Sequence, residues 1–531
     1  MLRFPVMRNA IVLALSASLL PAVWAAEEPV DLRTVNRIKV EAFENSKVME
    51  HVFFLTDVNG PRLTGSPAIE GAAKWVVNRL EEWGLTGAKM EAWGPFGRGW
   101  NSTRFTAHLR TPQYAPLIGF ARPWSPGTSG LVFGEPVMAV IKTDADFEKF
   151  KGKLKGKIAL LDRPPSIVPI VNAPSRRLTE TDLAGMFAAP DPGAAVVGLN
   201  PSAPGQPAPD REKQRKFRHD LNKFLVDEGV VVAVYPGERD LGTVRATSAG
   251  SHESKDPVPP PSVAIAAEQY NRIARLIEKK IPVTVEFDIQ AEFLPEKDSF
   301  NVVGEIPGSS KRDEIVMLGA HMDSWTGGTG ATDNAAGSAV MMEAIRILKA
   351  LNLNMPRTVR IALWTGEEQG MLGSKAYVKA HFADPEVMSP KPEHAKLAGY
   401  FNVDNGTGKI RGVYLQGNDM MRPVFEAWLA PFKDLGATTV SIRNTGSTDH
   451  VSFHDIGLPG FQFIQDPVEY STRTHHSNMD VYDRIQKGDL MQASAIVASI
   501  VYHTATRGEM LPRRPLPKPK KKDVAGARSG Q

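Results

Sequence analysis

IVMLGAHMDSWTGGTGATDNAAGSAVMMEAIRILKALNLNMPRTVRIALWTGEEQGMLGS, residues 315–374, is the stretch on which the fold is read. Its apolar run Ile315 to Ala320 has the pattern of a buried strand and delivers His321 and Asp323 at its end. A Gly/Thr-rich loop leads to Asp333, and helical periodicity runs from Gly337 to Leu351. A second apolar run, Thr358 to Thr365, delivers Glu367 and Glu368. Short apolar runs bounded by turn signals read as buried strands. In open α/β sheets ligands bind beyond the carboxyl ends of the strands, so these ionisable residues are expected in one crevice. A histidine among carboxylates, in a chain without cysteine, suits a zinc site built from nitrogen and oxygen ligands.

Working outward, the alternation continues regularly. A helix is expected over Gly370 to Phe382, a strand over Leu397 to Asp404, a helix over Met420 to Leu435, a strand over Gly460 to Ile464 and a long helix from Asp489 to Thr506. The fold class is therefore α/β, with a mainly parallel central sheet and helices on both faces. On the amino-terminal side, Asp31 to Asp57 reads as helical. Ser66-Pro67 then caps a helix that ends at Gly84, and short strand-like pieces follow to about Ala121. The character changes near Pro123. Proline- and glycine-rich joints, Pro201 to Pro209 and Pro257 to Pro261, separate short β-rich runs at 157–161 and 230–234, and Glu268 to Lys280 reads as a helix. This stretch, which has no clustered ligand residues, is read as an inserted β-rich domain over 124–295. It divides the catalytic domain into 27–123 and 296–511.

Both ends are basic. Of the net charge of +4, residues 1–26 carry +2 and residues 507–531 carry +6, which leaves the body at −4. A mildly acidic body calls for no nucleic-acid partner. Arg3 and Arg8, the apolar run Ala10 to Leu20 and Val23-Trp24-Ala25 make residues 1–26 an export signal. The run is short for a membrane span, so the expectation is a periplasmic or secreted protein with no stable membrane insertion once the signal is removed. The proline- and lysine-rich end, 512–531, is expected to be disordered.

Each ionisable group has a bland reading. A His-X-Asp is more often a surface or capping pair, and Asp333 before a helix would ordinarily be an N-cap. Asp404 in Val403-Asp404-Asn405-Gly406 reads as a turn residue, and His475-His476 as polar loop residues. Glu367-Glu368 is sharper, because adjacent carboxylates at a strand end repel unless a cation or proton separates their roles. One can ligate while the other stays free as a general base. Their ordered succession, mostly at strand ends, favours one site.

The elements GAHMDS, ATDNAAG, WTGEEQGMLGS, NVDNG and HHSNMD together resemble the co-catalytic di-zinc exopeptidases. That family includes bacterial leucyl aminopeptidases, glutamate carboxypeptidase and carboxypeptidase Q, and the ending Val501 to Pro512 looks most like the last of these. The resemblance is strong over about 300–510, and the insertion looks like a protease-associated domain. It implies two zinc ions per chain. Asp333 would bridge them, His321 and Asp404 would complete one, and Glu368 and His476 the other. His476 is preferred over His475 because the family ligand precedes Ser/Thr, with Asp four residues on. Glu367 would be the general base, Asp323 the residue orienting His321, and His475 an oxyanion donor. Thr448-Asp449-His450 resembles a segment near the family's substrate pocket. Two cations roughly 3.5–4 Å apart can hold a hydroxide and polarise a peptide carbonyl. The implied activity is hydrolysis of short peptides as an aminopeptidase or dipeptidase. The alternatives are a carboxypeptidase, a single-zinc glutaminyl cyclase, and a receptor-like binding protein on the same scaffold. Monomer and homodimer are both compatible with the chain.

Overall fold

A computed structural model describes residues 28–188 and 211–519. The expected signal segment, the joint at 201–209 and residues 520–531 of the basic end lie outside the described residues. A ten-stranded sheet carries the site, with the strand Lys311–His321 at its centre. Arg357–Trp364 and Leu397–Asn402 flank it in parallel, and Gly460–Gln465 runs parallel to the latter. Successive side chains of a strand point to opposite faces, so a strand covered on both faces must be apolar throughout. Val316, Leu318 and Ala320 enter one core with the helices Leu32–Glu44, Ala336–Ala350 and Lys487–Thr506. Ile315 and Met317 enter another with Tyr377, Val378 and Phe453. Each such Val, Leu, Ile or Met contributes roughly 1.5–3 kcal/mol on burial.

Away from this centre the pairing turns antiparallel. Ile410–Tyr414 runs against Gly460–Gln465, and Arg357–Trp364 against the long strand Thr284–Ile306, which pairs in turn with Thr86–Thr111. The sheet is mixed as a whole, and the parallel arrangement expected from the sequence belongs to the four strands bearing the site and to the edge pair Ile410–Tyr414 and Thr439–Ser441. The strand Thr86–Thr111 is 26 residues long where only short pieces were expected. Its register slips at several points, among them Trp93/Gly97, Arg98/Gly99 and Ser102/Arg104. Each bulge resets the in–out alternation, which erases the long period-2 signal.

Between the two long strands lies a five-stranded sheet, ordered Gly119–Ala121, Ser262–Ile265, Val232–Pro236, Ile158–Leu160, Pro136–Met138. All pairs but the first are parallel. Parallel neighbours need crossover connections, so the unit is α/β in makeup where the sequence was read as β-rich. Tyr270 and Ile273 of the helix Ala267–Glu278 cover one face of this sheet, and Leu225 of the helix Arg211–Asp227 covers the other. The strand Thr284–Ile306 passes unbroken through the joint expected at 295.

The local signals at helix ends hold. Ser66 Oγ accepts from Ile69 N at 3.4 Å at the start of the helix Pro67–Glu82, and Gly84 follows its end at φ +75°. The basic end departs from expectation in its first residues. Arg513 donates to the carbonyls of His394 and Leu397, and Arg514 to that of Gln416, while Leu511 is buried. Disorder is thus not the state of 512–514, because their guanidinium groups satisfy carbonyls at loop ends. Among the described residues no helix is long and apolar enough to cross a membrane.

Candidate metal centre

His321 is the last residue of the central strand, and Asp404 and Glu367-Glu368 follow the ends of its two parallel neighbours. Asp333 lies in the turn before the helix Ala336–Ala350, and His475-His476 in the loop after Gly460–Gln465. The sheet therefore brings together residues from four connections. His321 Nε2 stands 3.3 Å from Asp333 Oδ1 and 3.3 Å from Asp404 Oδ1. On the other side, His476 Nε2 is 3.2 Å from Asp333 Oδ2 and 3.0 Å from Glu368 Oε2. The two oxygens of Asp333 thus face two different histidines. His475 Nε2 approaches Asp333 Oδ2 only to 3.8 Å, with its ring stacked on His476 at 3.7 Å.

The turn bearing Asp333 is held from three directions. Asn334 donates to Val403 O at 2.9 Å and accepts from Gly337 N at 3.0 Å. Asp480 accepts from Thr332 N at 2.5 Å and Asp333 N at 3.2 Å. The buried Arg62 guanidinium donates to Met322 O, Thr329 O and Gly330 O at 2.7–2.8 Å, fastening the preceding loop. Asp323 lies behind His321, its Oδ1 3.6 Å from the ring Nδ1. Its two oxygens also accept from the amides of Glu367 at 3.2 Å and Glu368 at 3.3 Å. The carboxylate thereby holds the diglutamate backbone, while the partner of His321 Nδ1 at hydrogen-bond distance, 3.1 Å, is the main-chain carbonyl of Asp323.

Such a concentration of buried acid is costly without a counter-charge. Burial, then Asp333, pushes Glu368 up to about 7, His476 acting in the opposite sense. Glu367 is driven well above the usual carboxylate range, first by burial and then by Asp404, Asp449 and Glu368, against the pull of His321. For Asp333 burial acts upward, but the imidazoles of His321 and His476 beside it prevail and hold it well below. Glu368 Oε1 is buried with no hydrogen-bond partner among the described residues. Asp333 Oδ2 is at ion-pair distance from His476 yet not aligned for a hydrogen bond. Lone pairs aimed at shared points rather than at each other are what cations require. The donor atoms of His321, Asp333 and Asp404 all lie within 4.8 Å of one another, as do those of Asp333, His475 and His476. A set of imidazole nitrogens and carboxylate oxygens fits zinc.

Several residues at the centre escaped the sequence reading. Asp449 is given no role in the sequence reading beyond its likeness to a segment near the family's substrate pocket. It is fully buried, burial raises its carboxyl to about 7, and neither of its oxygens has a hydrogen-bond partner among the described residues. Arg62 and Thr64, which donates to Asp323 at 3.0 Å, lie far upstream with no local signal. From the inserted unit, Arg245 reaches within 3.3 Å of His476 Nδ1. The same segment is stitched to the histidine loop by Asn478, whose Oδ1 accepts from Val244 N at 2.7 Å and whose Nδ2 donates to Gly242 O at 3.2 Å. His476 itself sits at φ +60°, a left-handed conformation that the surrounding contacts must sustain. A cavity of about 430 Å³ opens at Glu368–Gly370, walled by Trp325 and, from the inserted unit, Trp124, Arg218 and His252.

Residues 301–501 match the profile described as Peptidase family M28. The chain is 26% identical to carboxypeptidase Q of Mus musculus over 468 residues, 87% of each chain. It is 32% identical to aminopeptidase YwaD of Bacillus subtilis (strain 168) over 222 residues, 40% of this chain and 46% of that one. In fold it is similar to a peptidase M28 precursor from Shewanella amazonensis SB2B, with a TM-score of 0.64 at 24% identity, covering 91% of this chain and 98% of that one. It is also similar to BSAP, a zinc aminopeptidase from Bacillus subtilis, with a TM-score of 0.55 at 21% identity over 87% and 94%.

Proposed function

Because residues 301–501 of this chain belong to peptidase family M28 and make it a metallopeptidase, we propose that it is an exported zinc-dependent exopeptidase that cleaves short peptides, as an aminopeptidase or dipeptidase. The observation that carries the reading is the division of Asp333, one oxygen facing His321 and the other His476. Asp333 would be shared between two zinc ions, His321 and Asp404 holding one, Glu368 and His476 the other. When bound, the zinc ions supply Lewis acidity toward water and toward the scissile carbonyl.

The protein groups have separable tasks. Glu367 takes a proton from the attacking water and passes it to the leaving amine nitrogen, the work of a general base that then acts as acid. Asp323 keeps His321 in orientation and the Glu367-Glu368 backbone in place. His475 is kept neutral, pushed down to about 4 by burial first and then by His476. A neutral imidazole can donate one N–H to the carbonyl oxygen as that oxygen gains charge. The inserted unit forms a wall of the cavity at Glu368–Gly370, and we assign it the selection of substrates, as a protease-associated-like domain.

The test is metal content per chain alongside turnover of an aminoacyl-anilide and a panel of dipeptides. Two zinc equivalents with dipeptide or anilide hydrolysis are expected. One equivalent with cyclisation of amino-terminal glutamine would replace the reading with a glutaminyl cyclase. Full occupancy without any turnover would leave a binding protein.

A further inference from the structure

A second cavity, of about 740 Å³, lies within the inserted unit, a size that suits a small organic ligand. Lys142, Thr143 and Asp144 line it just beyond the carboxyl end of the strand Pro136–Met138, and Tyr235 near that of Val232–Pro236. Ligands of open α/β sheets bind beyond such ends. Phe217 and Leu221 of the helix Arg211–Asp227 supply an apolar side. The charged lining is Arg122, Lys142, Lys213 and Arg218 against one acid, Asp144. Lys142 is paired with Asp162 at 2.6 Å. Arg122 is half-buried, yet its contacts are two carbonyls, Thr247 O at 3.0 Å and Ser248 O at 2.9 Å, and the face of Tyr235 at 4.3 Å. None of them is a carboxylate, the partner that a cation withdrawn from water ordinarily has. Burial first, and the charge of Arg218 with it, lowers the Arg122 guanidinium from its ordinary value. Arg218 itself is exposed and has no hydrogen bond or ion pair among the described residues. Burial raises the Tyr235 phenol, which keeps its proton and remains a donor.

We propose that this cavity is a regulatory site for a small organic oxyanion, a phosphate or carboxylate on an apolar body the size of one ring, and that its occupancy reaches the catalytic cavity through Arg218. The oxyanion accepts from Arg122 and Arg218, whose planar forks suit it, and from the Tyr235 hydroxyl. Its body lies against Phe217 and Leu221. Arg218, Asn222 and Ser248 also line the cavity at Glu368–Gly370, and Ser248 is one of the two residues whose carbonyls Arg122 holds. An anion that draws Arg218 toward the inserted sheet withdraws it from the wall of the catalytic cavity. Coupling between two ligands is reciprocal, so peptide and oxyanion should weaken one another by the same factor.

Binding is read by calorimetry on the full-length protein freed of metal, so that no oxyanion can ligate zinc and the result does not depend on the peptidase reading. The probes are phenyl phosphate, phenylacetate, inorganic phosphate and benzyl alcohol. Phenyl phosphate or phenylacetate should saturate one site per chain, the tighter of the two naming the head group, with inorganic phosphate and benzyl alcohol each at least tenfold weaker. Arg122→Gln should weaken that probe at least tenfold, and so should Arg218→Gln, which breaks no hydrogen bond or ion pair of the fold. On zinc-loaded protein the probe should raise KM for a dipeptide several-fold at unchanged kcat, and the effect should vanish in Arg218→Gln. Absence of saturable binding to the parent, or equal affinity in Arg218→Gln, would overturn the site. Inorganic phosphate binding as tightly as phenyl phosphate would overturn the organic ligand. An unaltered KM, or a rise that persists in Arg218→Gln and so reports the oxyanion on zinc, would overturn the coupling.

Discussion

Asp323→Asn isolates the part of the site that touches no substrate. The side chain is fully buried, and its oxygens serve three groups: Glu367 N at 3.2 Å, Glu368 N at 3.3 Å and Thr64 Oγ1 at 3.0 Å. Asparagine is nearly isosteric, but one oxygen becomes an NH₂ donor. In either amide orientation that NH₂ meets a backbone N–H, so at least one hydrogen bond to a charged acceptor is lost and replaced by a donor–donor contact. Such bonds contribute about 1.5–3 kcal/mol, which at 1.4 kcal/mol per decade is about 10- to 150-fold. The loss should divide between two readouts, because the same carboxylate holds the backbone amides of both Glu367, the proposed base, and Glu368, the proposed ligand. Zinc affinity, measured by competition with a chromogenic chelator, should weaken by about tenfold or more. The kcat at saturating zinc should fall as well, because Glu367 loses its anchor. Zinc affinity and kcat both within twofold of the parent would refute the positioning role.

Other outcomes follow from the same geometry. Glu343 is buried, and although burial acts upward, His51 and Arg346 hold its carboxyl down at about 2. A folded value below the ordinary 4.5 gives stability that is present above pH 4.5 and lost as pH falls toward 2. Glu343→Gln in metal-free protein should therefore cost on the order of 3 kcal/mol at pH 7 and much less near pH 2 by urea unfolding, and a pH-independent difference would contradict this. Gly337→Ala should cost about 1–3 kcal/mol and reduce zinc content, because a Cβ there would lie 2.3 Å from Val403 O and 2.4 Å from Asn334 Oδ1. Zinc analysis with urea titration checks both effects. Asn478→Ala removes the side-chain bonds to Val244 and Gly242 and should raise KM several-fold at unchanged zinc content. Steady-state kinetics showing an unaltered KM would argue against docking of the inserted unit as a determinant of binding.

The central strands were legible because a strand buried on both faces has to be an unbroken apolar run, and Ile315 to Ala320 is one. The ligand candidates were legible because they follow such runs: His321, Glu367-Glu368 and Asp404 each stand at or just beyond a strand end. The division of Asp333 between two histidines, by contrast, depends on the turn that Asn334 and Asp480 hold, and no local pattern encodes that aim. Arg62, Thr64 and Arg245 were silent for a related reason. Each reaches the centre across at least 200 residues of chain, from segments whose own neighbours say nothing of metal or substrate. The long ribbon Thr86–Thr111 was hidden by its bulges, and the inserted sheet was taken for β-rich because its short parallel strands are spaced by helices of low apolar content, such as Arg211–Asp227.

The most direct test of the two-cation account is zinc analysis with steady-state kinetics on the unmodified protein, Glu367→Gln and Glu368→Gln. The parent should hold two zinc equivalents. Glu368→Gln removes an anionic ligand and should lose zinc and activity together. Glu367→Gln removes the base but no ligand, so its zinc content should match the parent while kcat falls by about 10²–10⁴-fold. Loss of zinc from Glu367→Gln with retention by Glu368→Gln would exchange the two roles, and full activity in both would contradict the assignment of this centre as the place of catalysis.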